Sequence, residues 1–181
     1  LKNKNILILG YHQIRDILTS DNQKDKLFIT PKDIFEKEMK YLYDNNYKSI
    51  FPSQYIEYLK DKNKIKLPNK SVIITFDDGY KSQIDIIPIL EKYNFKATFF
   101  LYKDCIGKYQ ICMDQKDINY LIEKKMKIAN HTEHHIYMTD YKNNTIKKEL
   151  QNNKEFLESF GFNNVENIMA YPYGIEDERI K

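Results

Sequence analysis

The stretch Ser71-Val72-Ile73-Ile74-Thr75-Phe76-Asp77-Asp78-Gly79 decides how this chain is read. An apolar, β-branched run of strand length ends in two adjacent carboxylates and a glycine. Alone, Asp-Asp-Gly after a strand is a turn, with Asp capping the next helix and Gly supplying a positive φ. His131-Thr132-Glu133-His134-His135 changes that reading, because three of the chain's four histidines fall within these five residues. Carboxylates and imidazoles together form a ligand set for a divalent metal, with one carboxylate left over. A spare carboxylate beside activated water is the minimum equipment of a hydrolase.

Outward from that stretch, the chain alternates β-like runs with segments of helical spacing. The runs fall at residues 5–11, 49–51, 72–76, 97–101, 127–130 and 168–171. One helix opens at Pro31 with Thr30 as its N-cap and Ile34, Phe35, Met39 and Leu42 on its apolar face. Others are expected over 53–59, over 84–93 with a kink or restart at Pro88, over 114–124 behind an Asp cap, and over 145–160 ahead of Gly161. Residues 15–26 read as an exposed polar loop. This alternation predicts an α/β fold, a mostly parallel sheet or barrel, and no shift in composition marks a second domain.

Composition narrows the classes. At 181 residues the chain can bury a core as one domain. A net charge of +3, spread over interspersed acids and bases, offers no basic block for nucleic acid. No apolar stretch is long enough for a membrane span, and the start has no signal-peptide pattern. The chain opens on Leu1 and not Met, as expected if an N-terminal segment has been removed. Cys105 and Cys112 fit either a small loop disulfide or two free thiols.

Functional residues of such folds collect at the carboxyl ends of strands. Tyr11-His12, Asp77-Asp78, His131 and Tyr171-Pro172-Tyr173-Gly174 all lie at the ends of predicted strands. Each has a plain reading too: His12 as a near-core histidine, Pro172-Tyr173-Gly174 as a turn, and His134 as an outer or exposed residue. For His131 and His135 the spacing of four suggests one helix face. The excess of Tyr and Phe suits packing more than a sugar platform. The convergence on four strand ends carries more weight than any one motif.

Thr75-Phe76-Asp77-Asp78-Gly79 followed by His131-Thr132-x-x-His135 resembles the polysaccharide deacetylase family, the NodB homology domain of carbohydrate esterase family 4. Tyr171-Pro172-Tyr173-Gly174 resembles the family's third motif, with Ala170 where an arginine is usual. The N-terminal third, with Gly10-Tyr11-His12-Gln13-Ile14, is similar to the branch that deacetylates poly-β-1,6-N-acetylglucosamine in biofilms. The resemblance implies an irregular (β/α) barrel as a single domain over 1–181, here with about six strands and without the last ones of the barrel. An open edge and a leakier site are then expected.

It also implies roles. Asp78, His131 and His135 would hold the divalent ion, Zn²⁺ first among first-row metals. Asp77 would be the general base, and the backbone N–H of Tyr173 would stabilise the oxyanion. The chain lacks the family's late acid motif, and in the permuted biofilm branch His12 supplies that acid. Tyr11, Pro172 and Gly174 would contact substrate. The implied partner is an N-acetylglucosamine polysaccharide, with peptidoglycan and chitin oligomers as alternatives, met outside the cell or at its surface. Two further readings stay open: a carbohydrate-binding relative without turnover, favoured by Ala170, and an amidase acting on small N-acyl compounds.

Overall fold

The computed structural model describes residues 6–181. Leu1, and Asn5 as the expected start of the first strand, lie outside the described residues. The chain divides into two compact units, one made of the chain up to Phe76 with Ser82–Thr98, the other of Asp77–Lys81 with Phe99–Lys181.

In the first unit, β1 (Leu7–Tyr11) runs parallel to β5 (Ser71–Phe76), and β4 (Lys48–Ser49) pairs with β5 on the other side. The central position of β5 explains its unbroken apolar run, since a parallel strand flanked on both sides is covered on both faces. β2 (Gln13–Ile14) and β3 (Ile29–Thr30) form a separate parallel pair. Helix α2 (Lys32–Asp44) buries Phe35, Met39 and Leu42. Phe35 meets Tyr11 edge-on at 5.0 Å and lies 5.8 Å from Phe76, so α2 closes over the ends of β1 and β5. Each such side chain stabilises the unit by about 1.5–3 kcal/mol. Helix α3 (Pro52–Lys60) adds Tyr58, which packs with Ile50, Leu67 and Ile73.

Several expectations need correction here. Thr30 belongs to β3 and the N-cap of α2 is Pro31, which makes no side-chain cap bond. Ile34 is exposed, because the helix turns Phe35 inward instead. Residues 15–26 are not simply loop: they hold the short helix α1 (Gln23–Lys26), capped by the Asn22 side chain. A bidentate Arg15–Asp21 pair ties the segment down. The Arg15 bonds first, then the Leu18 N–H, hold the Asp21 carboxyl at about 2. The helix expected over 84–93 is two pieces, a 3-10 segment over Lys81–Ile86 and then α4 (Ile87–Lys92). Pro88 in the first turn of α4 marks the restart.

The second unit takes up the chain through β6 (Thr98–Leu101), whose first residue still belongs to the first unit. Then come α5 (Gln115–Glu123), β7 (Lys127–Asn130), α6 (Asn143–Glu158) and β8 (Val165–Met169). β7 and β8 are parallel. Asp114 caps α5 as expected, accepting from the N–H groups of Lys116 and Asp117. Phe99, Leu101, Met113, Ile118, Leu121, Ile128 and Leu157 form the buried interior. The last strand lies earlier than expected, so Tyr171 falls beyond it as the N-cap of a 3-10 turn over Pro172–Gly174. α6 starts at Asn143 and ends at Glu158, ahead of the expected end at residue 160. An apolar groove of about 870 Å³ runs between α6 and β8, lined by Leu150, Leu157, Phe162, Val165, Ile168 and Met169.

Candidate metal centre

Every member of the expected ligand set falls in the second unit. Asp78 follows β5 in the chain and has a left-handed φ of 72°, as does Gly79 at 71°. A Cβ on Gly79 would press on Leu101 and Ile106, each at 3.1 Å, so glycine answers both to the backbone and to close packing. A left-handed non-glycine residue costs about 1–3 kcal/mol and persists only where its surroundings impose it. The surroundings here are a loop closed by a disulfide. Cys105 and Cys112, left open by sequence, are joined. The loop grips the turn through Met113 N–H to Gly79 O at 2.9 Å and Lys81 N–H to Ile111 O at 2.8 Å.

His131 follows β7 and is almost wholly buried. Its Nδ1 lies 3.0 Å from the Ala170 carbonyl, which fixes the ring so that Nε2 faces Asp78 Oδ1 at 3.2 Å. Ala170 stands where an arginine was expected, and its backbone orients a ligand. His135 brings its own Nε2 to within 3.1 Å of the same oxygen. The two histidines do not share a helix face. They converge because Thr132 and His135 are both left-handed, with φ of 65° and 54°, and fold the segment into a loop.

Burial alone would raise the Asp78 carboxyl, yet hydrogen bonds from His131 and His135 outweigh it and hold the group well below its ordinary 3.8. The three donor atoms lie within 4.8 Å of one another. Two imidazoles and a carboxylate brought this close together fit a divalent first-row ion. Asp77, partly buried, is adjacent in the chain.

Aromatic rings wall the centre. Tyr102 lies 5.1 Å and Tyr173 4.6 Å from the His135 ring, centroid to centroid. Tyr173 is left-handed at φ 61° and stacks on Tyr137 at 3.7 Å with the planes 4° apart. Burial first, then the Asp78 charge, pushes the Tyr102 hydroxyl up. Tyr173 is pushed up by burial, Tyr137 and Asp78 in that order. Pro172 is buried beneath the turn, and Gly174 is left-handed and exposed.

His12 and Tyr11 belong to the first unit. The His12 ring packs edge-on against Phe28, and its carbonyl accepts from Gln83 Nε2 at 2.9 Å. Tyr11 is buried, stacks on Phe76 and donates its hydroxyl to Glu38 at 2.7 Å, so its side chain is committed to the core.

Sequence reasoning missed four side chains that shape the centre: Tyr102, Tyr137, Glu149 and Asn153. The last two carried a signal. Ile146, Glu149, Asn153 and Leu157 share the buried face of α6, so two polar groups interrupt an apolar stripe. Asn153 Nδ2 donates to Leu101 O and Asn130 Oδ1, while its Oδ1 accepts from Lys103 N–H. Asn130 Oδ1 in turn accepts from Thr132 N–H.

With this geometry in hand, the comparison with known proteins is decisive. The profile of the family described as polysaccharide deacetylase matches residues 64–181. The chain belongs to the polysaccharide deacetylase family. A putative polysaccharide deacetylase of Bacillus subtilis is 30% identical over 94% of this chain and 57% of its own length. The poly-β-1,6-N-acetyl-D-glucosamine N-deacetylase of Staphylococcus epidermidis is 26% identical over 97% of the chain and 67% of its own length. The chain thus spans little more than half of the first relative and about two thirds of the second. Among solved structures, a Streptococcus pyogenes deacetylase in complex with acetate has the same fold, with a TM-score of 0.82, 23% identity, 96% of this chain covered and 76% of that one. The α/β fold with a parallel sheet is therefore that of the deacetylases.

Proposed function

We propose that this chain is a metal-dependent hydrolase that removes N-acetyl groups from N-acetylglucosamine residues of an extracellular polysaccharide. The observation that carries the reading is Asp78 Oδ1 set between His131 Nε2 and His135 Nε2, at 3.2 and 3.1 Å. Similarity to the S. epidermidis enzyme favours a β-1,6-linked polymer. The joined cysteines favour an oxidising compartment, outside the cell or at its surface.

Asp78, His131 and His135 would hold the ion, Zn²⁺ before other first-row metals, which when bound would supply Lewis acidity for an amide carbonyl and for water. Asp77 takes one proton from the attacking water as its oxygen adds to the acetyl carbon. The Tyr173 backbone N–H donates to the oxyanion that forms. His12, assigned by resemblance, gives a proton to the nitrogen as the C–N bond breaks, leaving acetate and a free amine. Pro172 and Gly174 shape the turn that presents Tyr173 to the sugar. The amines produced are cationic near neutral pH, which changes how the polymer adheres to anionic surfaces.

The test is metal content together with acetate release from β-1,6- and β-1,4-linked N-acetylglucosamine oligomers. The parent chain should hold one divalent ion and turn over the β-1,6 oligomers faster. Asp77→Asn and His12→Ala should keep the ion and lose activity by about 10²–10⁴-fold. Bound metal without acetate release would replace this reading with a sugar-binding relative, which Ala170 in place of the arginine favours. A chain that binds no metal would end it.

A further inference from the structure

The geometry points to Glu149 as the residue that positions the histidine loop for metal binding, an inference that rests on the metal reading above. Glu149 sits on the buried face of α6, only 8% exposed. Its Oε2 accepts from the backbone N–H of Glu133 at 3.1 Å and of His134 at 2.9 Å. Its Oε1 lies 2.8 Å from His134 Nδ1, the distance of a ring N–H donating to a carboxylate. Thr132 N–H is already held by Asn130 Oδ1. Three consecutive N–H groups between the two histidine ligands are therefore fixed by side-chain oxygens, two of them by one carboxylate.

This arrangement explains His134, the histidine that cannot share the ligand geometry of its neighbours. Its side chain is half exposed and completes the Glu149 clamp. It also explains why a loop with left-handed residues at both Thr132 and His135 holds one shape. Without acceptors for Glu133 and His134 N–H, the segment has no reason to aim both Nε2 atoms at Asp78.

Glu133, His134 and Glu149 also lie close enough together to suggest a second metal site. Their oxygens are already engaged. Glu133 Oε1 takes the Lys103 ammonium at 2.8 Å and its Oε2 takes Asn152 Nδ2 at 2.6 Å. A cation there would displace an ammonium and break the clamp on two N–H groups. The cluster is an anchor for the first site.

The experiment titrates Zn²⁺ into the metal-stripped chain and records the absorption bands of the Co²⁺ form, with thermal unfolding alongside. Glu149→Ala should weaken metal binding by about 10- to 100-fold, the usual effect of losing an outer partner of a ligand, and shift the cobalt bands. Glu149→Gln should recover most of both. Its amide oxygen can take the two N–H groups while its NH₂ faces His134 Nδ1 in the other tautomer. Leu157→Ala, buried on the same helix, should lower Tm yet keep the parent affinity and bands. Parent affinity and bands in Glu149→Ala would overturn the assignment. So would an equal loss of affinity in Leu157→Ala, which would make the effect merely structural. If Glu149→Ala does not fold, Glu149→Asp decides, since a carboxylate one methylene shorter must weaken metal binding likewise, and parent affinity there overturns the idea. A parent chain that takes up no ion would sink the metal reading itself, a result distinct from all of these.

Discussion

Two turns of the second unit, residues 131–135 and 171–174, share one backbone oddity and are secured in opposite ways. Both contain left-handed residues other than glycine: Thr132 and His135 in the first, Tyr173 in the second. The first turn is held from below by polar groups of α6 and β7, with Glu149, Asn153 and Asn130 taking its N–H groups or bracing those that do. The second rests on ring stacking with Tyr137, one bond from Gly174 N–H to Tyr171 O, and a buried proline, while Tyr173 itself is 52% exposed. Hydrogen bonds to buried acceptors are directional and fix atoms; stacked rings slide at small cost. A metal ligand needs the first kind of support, and a turn that meets a polymer tolerates the second.

The largest effect should come from His131→Ala. It removes a buried donor and also the bond to the Ala170 carbonyl. Zn²⁺ affinity should fall by more than the roughly 100-fold upper limit for outer partners, whereas Tyr173→Ala should leave it at the parent value. Titration calorimetry on both variants checks the pair. Equal losses would mean that the two turns work as one body and the contrast drawn here fails.

Asn153→Ala should act on stability. It strips the partner from the buried Lys103 N–H and leaves Leu101 O to the His131 N–H. At about 1–3 kcal/mol for that unpaired group, the loss is roughly 2 kcal/mol, or about 4–8 °C in Tm for a chain of this size. A drop of only a degree or two would show that water enters and satisfies the site. Tyr137→Ala should be milder, costing about 0.5–1.5 kcal/mol of stacking. It should raise KM for the oligomers by up to about tenfold with kcat and metal content unchanged. A changed metal content would again merge the two turns.

The same contrast sorts what could be read in advance. Asp77-Asp78-Gly79, the ends of β5 and β7, and the Asp114 cap were legible because a few neighbouring residues determine them. The His131/His135 pair was found for its chemistry but placed on the wrong geometry. Helical spacing was the natural reading, and only Glu149 and Asn153, 14 or more positions downstream, turn the segment into a loop. Their signal was polar residues on an apolar stripe, which shows only once α6 is placed. β8 was set too late because its apolar residues continue into Met169, Ala170 and Tyr171, and β7 stops pairing at Met169. Thr30 looked like a cap until β2 claimed it as a strand partner. The cysteine pairing depended on the path of the loop between β6 and α5, which the spacing alone leaves open.

The smallest expected effect concerns pH, and there the two turns should fail at opposite ends. In the metal-free chain the hydrogen bonds from His131 and His135 keep Asp78 ionised below its ordinary 3.8. A carboxyl with a depressed folded value stabilises the fold above that pH and loses the contribution as pH falls through the folded value. Tyr173 is shifted the other way, upward from 10.0, by burial, Tyr137 and Asp78. The fold therefore favours its neutral hydroxyl, and this contribution is complete below pH 10 and lost as pH rises beyond it. Denaturant unfolding of the metal-free protein across the pH range reads both limbs. Asp78→Asn should make the acid limb shallower, with the Asp21 share remaining, and change the alkaline limb little, since burial and Tyr137 outweigh its charge at Tyr173. Tyr173→Phe should make only the alkaline limb shallower, with the Tyr102 share remaining. If one variant flattens both limbs, the Asp78 charge dominates the tyrosine shift, and the two turns are coupled through that carboxylate.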